Sequence, residues 1–358
     1  MDHMRILFAG TPQAAVTPLK VLSQAGGDLQ LVGVLTRPDA PSGRGRKLTP
    51  SPVKEAAQEL GLPVVEASPD SEEFFEQIEA LHPDLAAVVA YGKILKPPAL
   101  NALPLGWYNL HFSLLPQYRG AAPVQRAIWA GEEITGATVF KIGPGLDDGP
   151  ILAQSTVEIG PQETAGELLD RLSTDGAYLL AAALQGLAEG KISTHDQEEG
   201  VFETAPKIHP ADAHIRFDVP AFAADRQIRA CTPQPGAWCR VHRGDDPGWD
   251  NPGHDSPGGY DVGGDDPAWN AANKPISGHG TGSGITMALG RAHIDKSNNP
   301  SRPPLLSPGQ VAVTKKHVWV GTLTDPLELD LVKPQGKKMM KAADWARGAH
   351  LSPRAYCD

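Results

Sequence analysis

Cysteine is scarce in this chain: Cys231, Cys239 and Cys357 are the whole set. An odd and sparse set excludes a disulfide framework. Cys231, Cys239 and His242 lack CxxC spacing and a fourth ligand. The two cysteines read as small, half-buried residues on a strand, and no metal is expected. Long apolar runs are missing as well, and no stretch approaches the length of a membrane helix. Residues 5–9 are too short for a secretory signal, and Gly10-Thr11-Pro12 follows at once. A cytoplasmic, reducing setting without a membrane is the expectation. No GxGxxG follows the first strand pattern, which argues against a dinucleotide cofactor. No GxSxG elbow surrounds Ser113, which argues against a serine hydrolase. Positive charge is in deficit, with a formal net of −10. That disfavours a whole-surface nucleic-acid binder and leaves room for a local basic patch.

What is present is enough for two packed cores. The chain has 358 residues, 41% of them hydrophobic and 21% charged, so two domains are expected. The first half alternates apolar strands (5–9, 29–36, 64–65, 85–90) with helical patterns (12–24, 52 to about Gly61, 71–81). Strands that are apolar throughout belong to a parallel sheet covered on both faces. Residues 1–190 therefore read as an open α/β domain, closed by a long helix over 163–187. The pattern thins over 191–209 into a linker. Residues 210–358 carry short β-type segments at 237–241, 284–289, 310–314, 318–323 and 327–332, which predict a small barrel. Its interruption at about 243–280 is rich in Gly, Asp, Pro, Asn and His, with GDDPGWDN echoed as GDDPAWNA. Too few apolar residues stand there to offset the entropy of ordering, so a disordered surface loop is expected.

Two stretches are basic. Between Thr36 and Ser51 runs a connection without hydrophobic pattern. Arg37, Arg44, Arg46 and Lys47 stand there against Asp39, with Lys54 just beyond Ser51. From residue 310 onward eight cations, including Lys337 and Lys338, face five carboxylates. Solvated surface and phosphate contact both fit such stretches.

The segment WYNLHF (107–112) reads as a strand. Its period of two puts Asn109 and His111 on one face near the carboxyl end. Leu114-Leu115-Pro116 then stops the strand and can line an apolar slot with exposed backbone groups. Gly145-Leu-Asp147-Asp-Gly149 supplies carboxylates on a tight turn. Asn, His and Asp together suit acyl transfer without a covalent enzyme intermediate. The amide donates to a developing oxyanion, the imidazole donates or shuttles a proton, and the carboxylate orients the imidazole or takes a proton. The bare alternation fits a purely structural strand as well.

These motifs together resemble the folate-dependent formyltransferases, most closely those acting on methionyl-tRNA. The likeness rests on Asn109-x-His111-x-Ser-Leu-Leu-Pro116, Arg119-Gly-Ala-Ala-Pro123 and Gly145-Leu-Asp147-x-Gly149. It extends to Phe8-Ala-Gly-Thr-Pro12, the arginine loop with Ser51-Pro-Val-Lys54, Ala90-Tyr-Gly92 and Ala205-x-Lys207-Ile208. It resumes at Ile228-Arg-Ala230, Pro235-Gly-Ala-Trp238, Gly336-Lys-Lys338-x-Met340 and Arg347-Gly348. The resemblance implies a Rossmann-like, mostly parallel domain followed by an OB-like barrel. It implies Asn109, His111 and Asp147 as the catalytic set, with 10-formyltetrahydrofolate as formyl donor. The folate would lie at Ser113, Leu114, Leu115 and Pro116, with Tyr91, Gly92, Ile94 and Leu95 nearby. The tRNA would meet Arg44, Arg46, Lys47, Lys207, Lys337 and Lys338. A bacterial monomer acting on methionyl-initiator-tRNA is implied. The alternatives are a relative formylating a small amine, such as glycinamide ribonucleotide or an amino sugar, or a non-catalytic folate- or RNA-binding descendant. Asp148, Cys231-Thr-Pro-Gln and the acidic insertion depart from the family pattern.

Overall fold

The computed structural model describes residues 3–42, 47–244, 284–294, 302–303 and 306–358. Arg44, Arg46 and the insertion beyond Gly244 lie outside them. The chain divides into two units, Met1–His209 with Arg229–Pro233, and Pro210–Ile228 with Gln234–Asp358.

The first unit opens with β1 (Met4–Gly10), α1 (Val16–Gln24) and β2 (Leu29–Leu35). A small hairpin, β3 (Ala40–Ser42) and β4 (Lys47–Thr49), precedes α2 (Pro52–Glu59) and β5 (Val64–Val65). Then come α3 (Glu72–Leu81), β6 (Leu85–Val89), α4 (Pro97–Leu100) and β7 (Gly106–His111). β8 (Arg119–Gly120), α5 (Pro123–Ala130), β9 (Ile134–Lys141), β10 (Ile151–Glu158), α6 (Ala165–Ala188) and β11 (Thr204–Ala205) complete it.

The main sheet has the order β10-β9-β7-β6-β1-β2-β5. Five strands are parallel, and β9 and β10 return antiparallel at one edge. Both faces are covered, which is why β1 and β6 carry almost no polar residue. Ile6 and Phe8 enter one core with Leu19, Val53 and Leu180. Leu7 and Ala9 enter the other with Phe74, Ile78 and Trp107. The helix starts are chemically marked. Ser51 accepts from Lys54 N with Pro52 at the first position of α2, and Thr164 and Glu167 form a capping box on α6.

Two local features differ from the sequence expectation. The helix read from Pro12 begins with a 3-10 turn at Gln13–Ala15, and regular α-helix starts only at Val16. Pro18 explains the delay. Placed in the first turn, its missing N–H costs nothing, whereas further inside it would break the ladder. The basic connection is partly ordered, because β3 and β4 pair antiparallel.

α7 (Ala221–Cys231) starts in the second unit and ends in the first, from Arg229 onward, and the second unit continues with β12 (Trp238–His242), β13 (Ile285–Ile294), β14 (Val311–Val313), β15 (Val318–Val320) and β16 (Leu327–Pro334). β17 (Met340–Lys341), α8 (Ala342–Ala349) and β18 (Tyr356–Cys357) end the chain. The antiparallel order is β14-β15-β16-β13-β12-β18, with β17 on β16. A bridge between Gln310 and Tyr356 brings the last strand back to the first, giving a nearly closed barrel. Cys231, Cys239 and Cys357 are all free and buried. A hydrogen bond with Cys357 and burial push the Cys239 thiol well above its usual range. No described helix is long and apolar enough to cross a membrane.

Candidate active site

Ligands of open α/β sheets bind beyond the carboxyl ends of the strands, where the strand order reverses. Here the order reverses between β1 and β6. The loops that leave these two strands are tied together, since Thr11 Oγ1 donates to Tyr91 O at 3.0 Å. Arg37 Nη2 donates to Gly92 O at 2.6 Å. Ala90 and Gly92 both have positive φ, 49° and 79°. Tyr91 is buried, its hydroxyl has no partner among the described residues, and burial raises the phenol to about 12. Ile94 is 93% exposed, while Leu95 packs against the second core. Gly92 and Ile94 line a cleft of about 390 Å³ with Ser68, Pro69, Asp70, Lys93 and Lys96.

On β7 the alternation is complete. Tyr108, Leu110 and Phe112 enter the first core, and Trp107 enters the second. Asn109 and His111 share the side of Trp107. They sit opposite Phe140 and Thr138 of β9. The Asn109 carboxamide makes no side-chain hydrogen bond to any described residue and is half-buried.

His111 is 6% exposed, and its Nε2 lies 2.9 Å from Tyr118 O. A carbonyl can only accept, so Nε2 carries the proton and the neutral ring keeps its lone pair on Nδ1. Nδ1 stands 3.8 Å from Asp147 Oδ2. Burial lowers the His111 pKa, with Asp147 and the Tyr118 carbonyl opposing, so the resting ring is neutral. Asp147 has φ 50° on the turn between β9 and β10. Its Oδ2 accepts from Gly120 N at 2.8 Å. Gly149 closes that turn, where a Cβ would fall 1.8 Å from Lys141 O. His111 and Asp147 are thus brought face to face, with Asn109 one alternation earlier on the same side of β7. His111 and Asp147 face each other as two proton acceptors.

The Ser113–Pro116 stretch is held from within more than its motif suggests. Ser113 is fully buried, and its Oγ donates to Gln117 O at 2.6 Å. Leu115 N donates to Thr138 Oγ1, and Leu115 O accepts from Gln154 Nε2. Thr138 Oγ1 donates to Ser113 O at 2.7 Å. The Ser113 hydroxyl and the Leu115 backbone are therefore taken up internally, which corrects the expectation of exposed backbone groups at Leu115. The Leu115 side chain packs on Phe140 and Ile151, and Leu114 is half-buried beside it. Thr138 and Gln154 were not singled out in the sequence. The signal available was a polar residue on an otherwise apolar strand.

Among the basic residues, Lys47, Lys207, Lys337 and Lys338 are exposed. Lys54 is not available as a phosphate contact, because it pairs with Asp39 at 2.7 Å and Glu66 at 3.0 Å. One histidine–carboxylate group in the described residues lies close enough to consider for a metal: His293, Glu328 and Asp330. Its atoms are engaged with neighbours, His293 Nδ1 with Asp330 at 3.0 Å and Glu328 with His317 at 2.6 Å.

The formyl transferase family model matches residues 4–184. The model of the formyl transferase C-terminal domain matches 207–246 and 273–350. The methionyl-tRNA formyltransferase of Bifidobacterium adolescentis is 56% identical, over 99% of this chain and 100% of that protein. That of Mycobacterium tuberculosis is 44% identical, over 97% and 98%. A sugar 3N-formyl transferase, solved with dTDP and 5-N-formyl-THF, shares the fold with a TM-score of 0.57 at 16% identity. That match covers 94% of this chain and 100% of the other.

Proposed function

The chain belongs to the methionyl-tRNA formyltransferases, and from that premise we propose how Asn109, His111 and Asp147 move a formyl group. The donor is 10-formyltetrahydrofolate and the acceptor is the free amine of methionyl-initiator-tRNA. The carrying observation is the pairing of an unengaged Asn109 carboxamide with a His111 Nδ1 that holds a lone pair and faces Asp147.

The acceptor amine has a pKa of ~7.7–8.0 when unperturbed, so it is partly protonated at neutral pH. As the amine attacks the formyl carbon, charge develops on the formyl oxygen, and the Asn109 N–H donates to it. The attacking nitrogen loses its extra proton to His111 Nδ1. The imidazolium so formed is stabilised by the Asp147 carboxylate. The same proton then passes to the departing folate nitrogen, and the ring returns to neutral. Neutral His111 cannot donate through Nδ1 at the outset, which assigns the first oxyanion contact to Asn109 rather than to both. Holding amine and formyl group together supplies much of the rate.

The formyl donor fits what the residues offer. Exposed Ile94 supplies apolar surface for a flat ring, and the Leu115 side chain backs the slot. Tyr91, Gly92, Leu95, Ser113, Leu114 and Pro116 shape its walls through backbone and packing. Lys47, Lys207, Lys337 and Lys338, with Arg44 and Arg46, are read as tRNA phosphate contacts. The enzyme is read as a monomer of the bacterial cytoplasm, in keeping with its bacterial relatives.

The test is formyl transfer from 10-formyltetrahydrofolate, with methionyl-tRNA, uncharged tRNA and glycinamide ribonucleotide assayed in parallel. Product on the methionyl ester alone is expected. Product on the small amine alone would overturn the tRNA assignment.

A further inference from the structure

The segment after α6 was expected to be a linker. It is instead fastened to the catalytic loops of its own unit. His195 exchanges backbone hydrogen bonds with Ile151, just after the Asp147 turn. Glu203 O accepts from Tyr118 N at 2.7 Å, and β11 pairs with β8. Between these two anchors residues 195–200 are exposed with one exception, Gln197.

Gln197 uses its whole carboxamide. Its Oε1 accepts from Arg119 Nε at 3.1 Å and Arg119 Nη2 at 2.6 Å. Its Nε2 donates to Asp147 O and Gly149 O, both at 2.8 Å. The amide orientation is unambiguous, because a guanidinium only donates and a carbonyl only accepts. One side chain therefore joins the two segments that place the Asp147 carboxylate. The first is the turn that carries Asp147. The second is Arg119-Gly120, whose Gly120 N–H holds Oδ2. Asp147 sits in left-handed backbone, which a non-glycine residue adopts only when its surroundings hold it there.

We infer that Gln197 is a positioning residue for the formyl transfer, clamping the Asp147 turn against Arg119-Gly120 so that the carboxylate faces His111. This rests on the reaction proposed above. Gln197 touches no substrate in this role. Its loss should appear in the chemical step and leave both substrate affinities alone.

Two substitutions separate the halves of the clamp. Gln197→Ala removes both. Gln197→Glu keeps an acceptor for Arg119 and loses both donors to the Asp147 and Gly149 carbonyls. Displacing a reacting group by about 1 Å costs on the order of 10²-fold. In steady-state formylation of methionyl-tRNA, both variants should lose about 10- to 100-fold in kcat. KM for tRNA and for the folate should stay within about twofold. The circular dichroism of the folded proteins should be unchanged.

Three results overturn the inference. The first is a kcat per folded molecule within about twofold of wild type in Gln197→Ala. The second is a loss confined to KM for tRNA, which would make Gln197 a tRNA contact. The third is Gln197→Glu retaining full kcat while Gln197→Ala does not, which would leave only the Arg119 contact. Wild-type enzyme in the same assay distinguishes the two levels. Its failure to formylate overturns the functional reading and this inference together. Active wild type with active variants overturns this inference alone.

Discussion

Asn109 and His111 differ in what the fold leaves free on each. The Asn109 amide has no side-chain hydrogen bond among the described residues, so Asn109→Ala should fold normally and lower kcat by roughly 10²–10³ if it is the oxyanion donor. A kcat near wild type would remove it from that role. His111 gives up Nε2 to the backbone and keeps Nδ1. Its lowered pKa has a thermodynamic consequence. An unfolded histidine titrates near ~6.5, and below that pH the unfolded chain takes up a proton that the folded ring resists. This contribution to stability is complete above about pH 6.5 and is lost as pH falls toward the folded value. His111→Asn should flatten that dependence, read as urea midpoints at about pH 8 and about pH 5. An unchanged slope would show that His111 titrates alike in both states. The alternation on β7 was enough to put Asn109 and His111 on one face, whereas their grouping with Asp147 came from the resemblance to the formyltransferases. Gln197 was not legible in the sequence, because nothing about one glutamine in a polar stretch marks it as the side chain that turns inward. Its partners lie 48 to 78 residues away along the chain.

The elements show where local chemistry fixes geometry. α6 begins with a reciprocal cap, Thr164 Oγ1 and N both donating to Glu167 at 2.9 Å. Thr164→Ala should cost about 0.5–2 kcal/mol, measured by chemical denaturation. At β8, Gly120 has φ 128°, and a Cβ there would meet Ala205 O at 2.6 Å. The nearest atoms are backbone and cannot swing aside. Gly120→Ala should therefore part β8 from β11 and disturb the N–H that holds Asp147, lowering kcat and stability together. A variant with unchanged melting temperature and rate would contradict that contact. The main strands and helices were legible because continuous apolar strands and capped amphipathic helices carry their own signals. The paired fragments β8 and β11 are two residues each, shorter than any periodicity can reveal.

Across the whole molecule, a formal net charge of −10 coexists with exposed Lys337 and Lys338, proposed above as tRNA phosphate contacts. Replacing Lys337 and Lys338 with alanine should raise KM for tRNA and leave KM for the folate unchanged. The slope of log affinity against log salt should flatten by about 2. Equal effects on both substrates would show that these lysines do not read the nucleic acid. The α/β class and the barrel were legible from alternation and turn spacing, whereas the internal ties of 195–205 depend on pairing across distant sequence.

The three buried thiols give the molecule a clock. Cys231 belongs to the first unit, and Cys239 and Cys357 to the second. None presents its sulfur to a solvent-borne alkylating agent while its unit is closed, so each is labelled only in an opening event. Labelling of Cys231 therefore times the opening of the first unit. Labelling of Cys239 and Cys357 times the barrel. One native chain, with no engineered probe, keeps two separate records of how long each half stays shut.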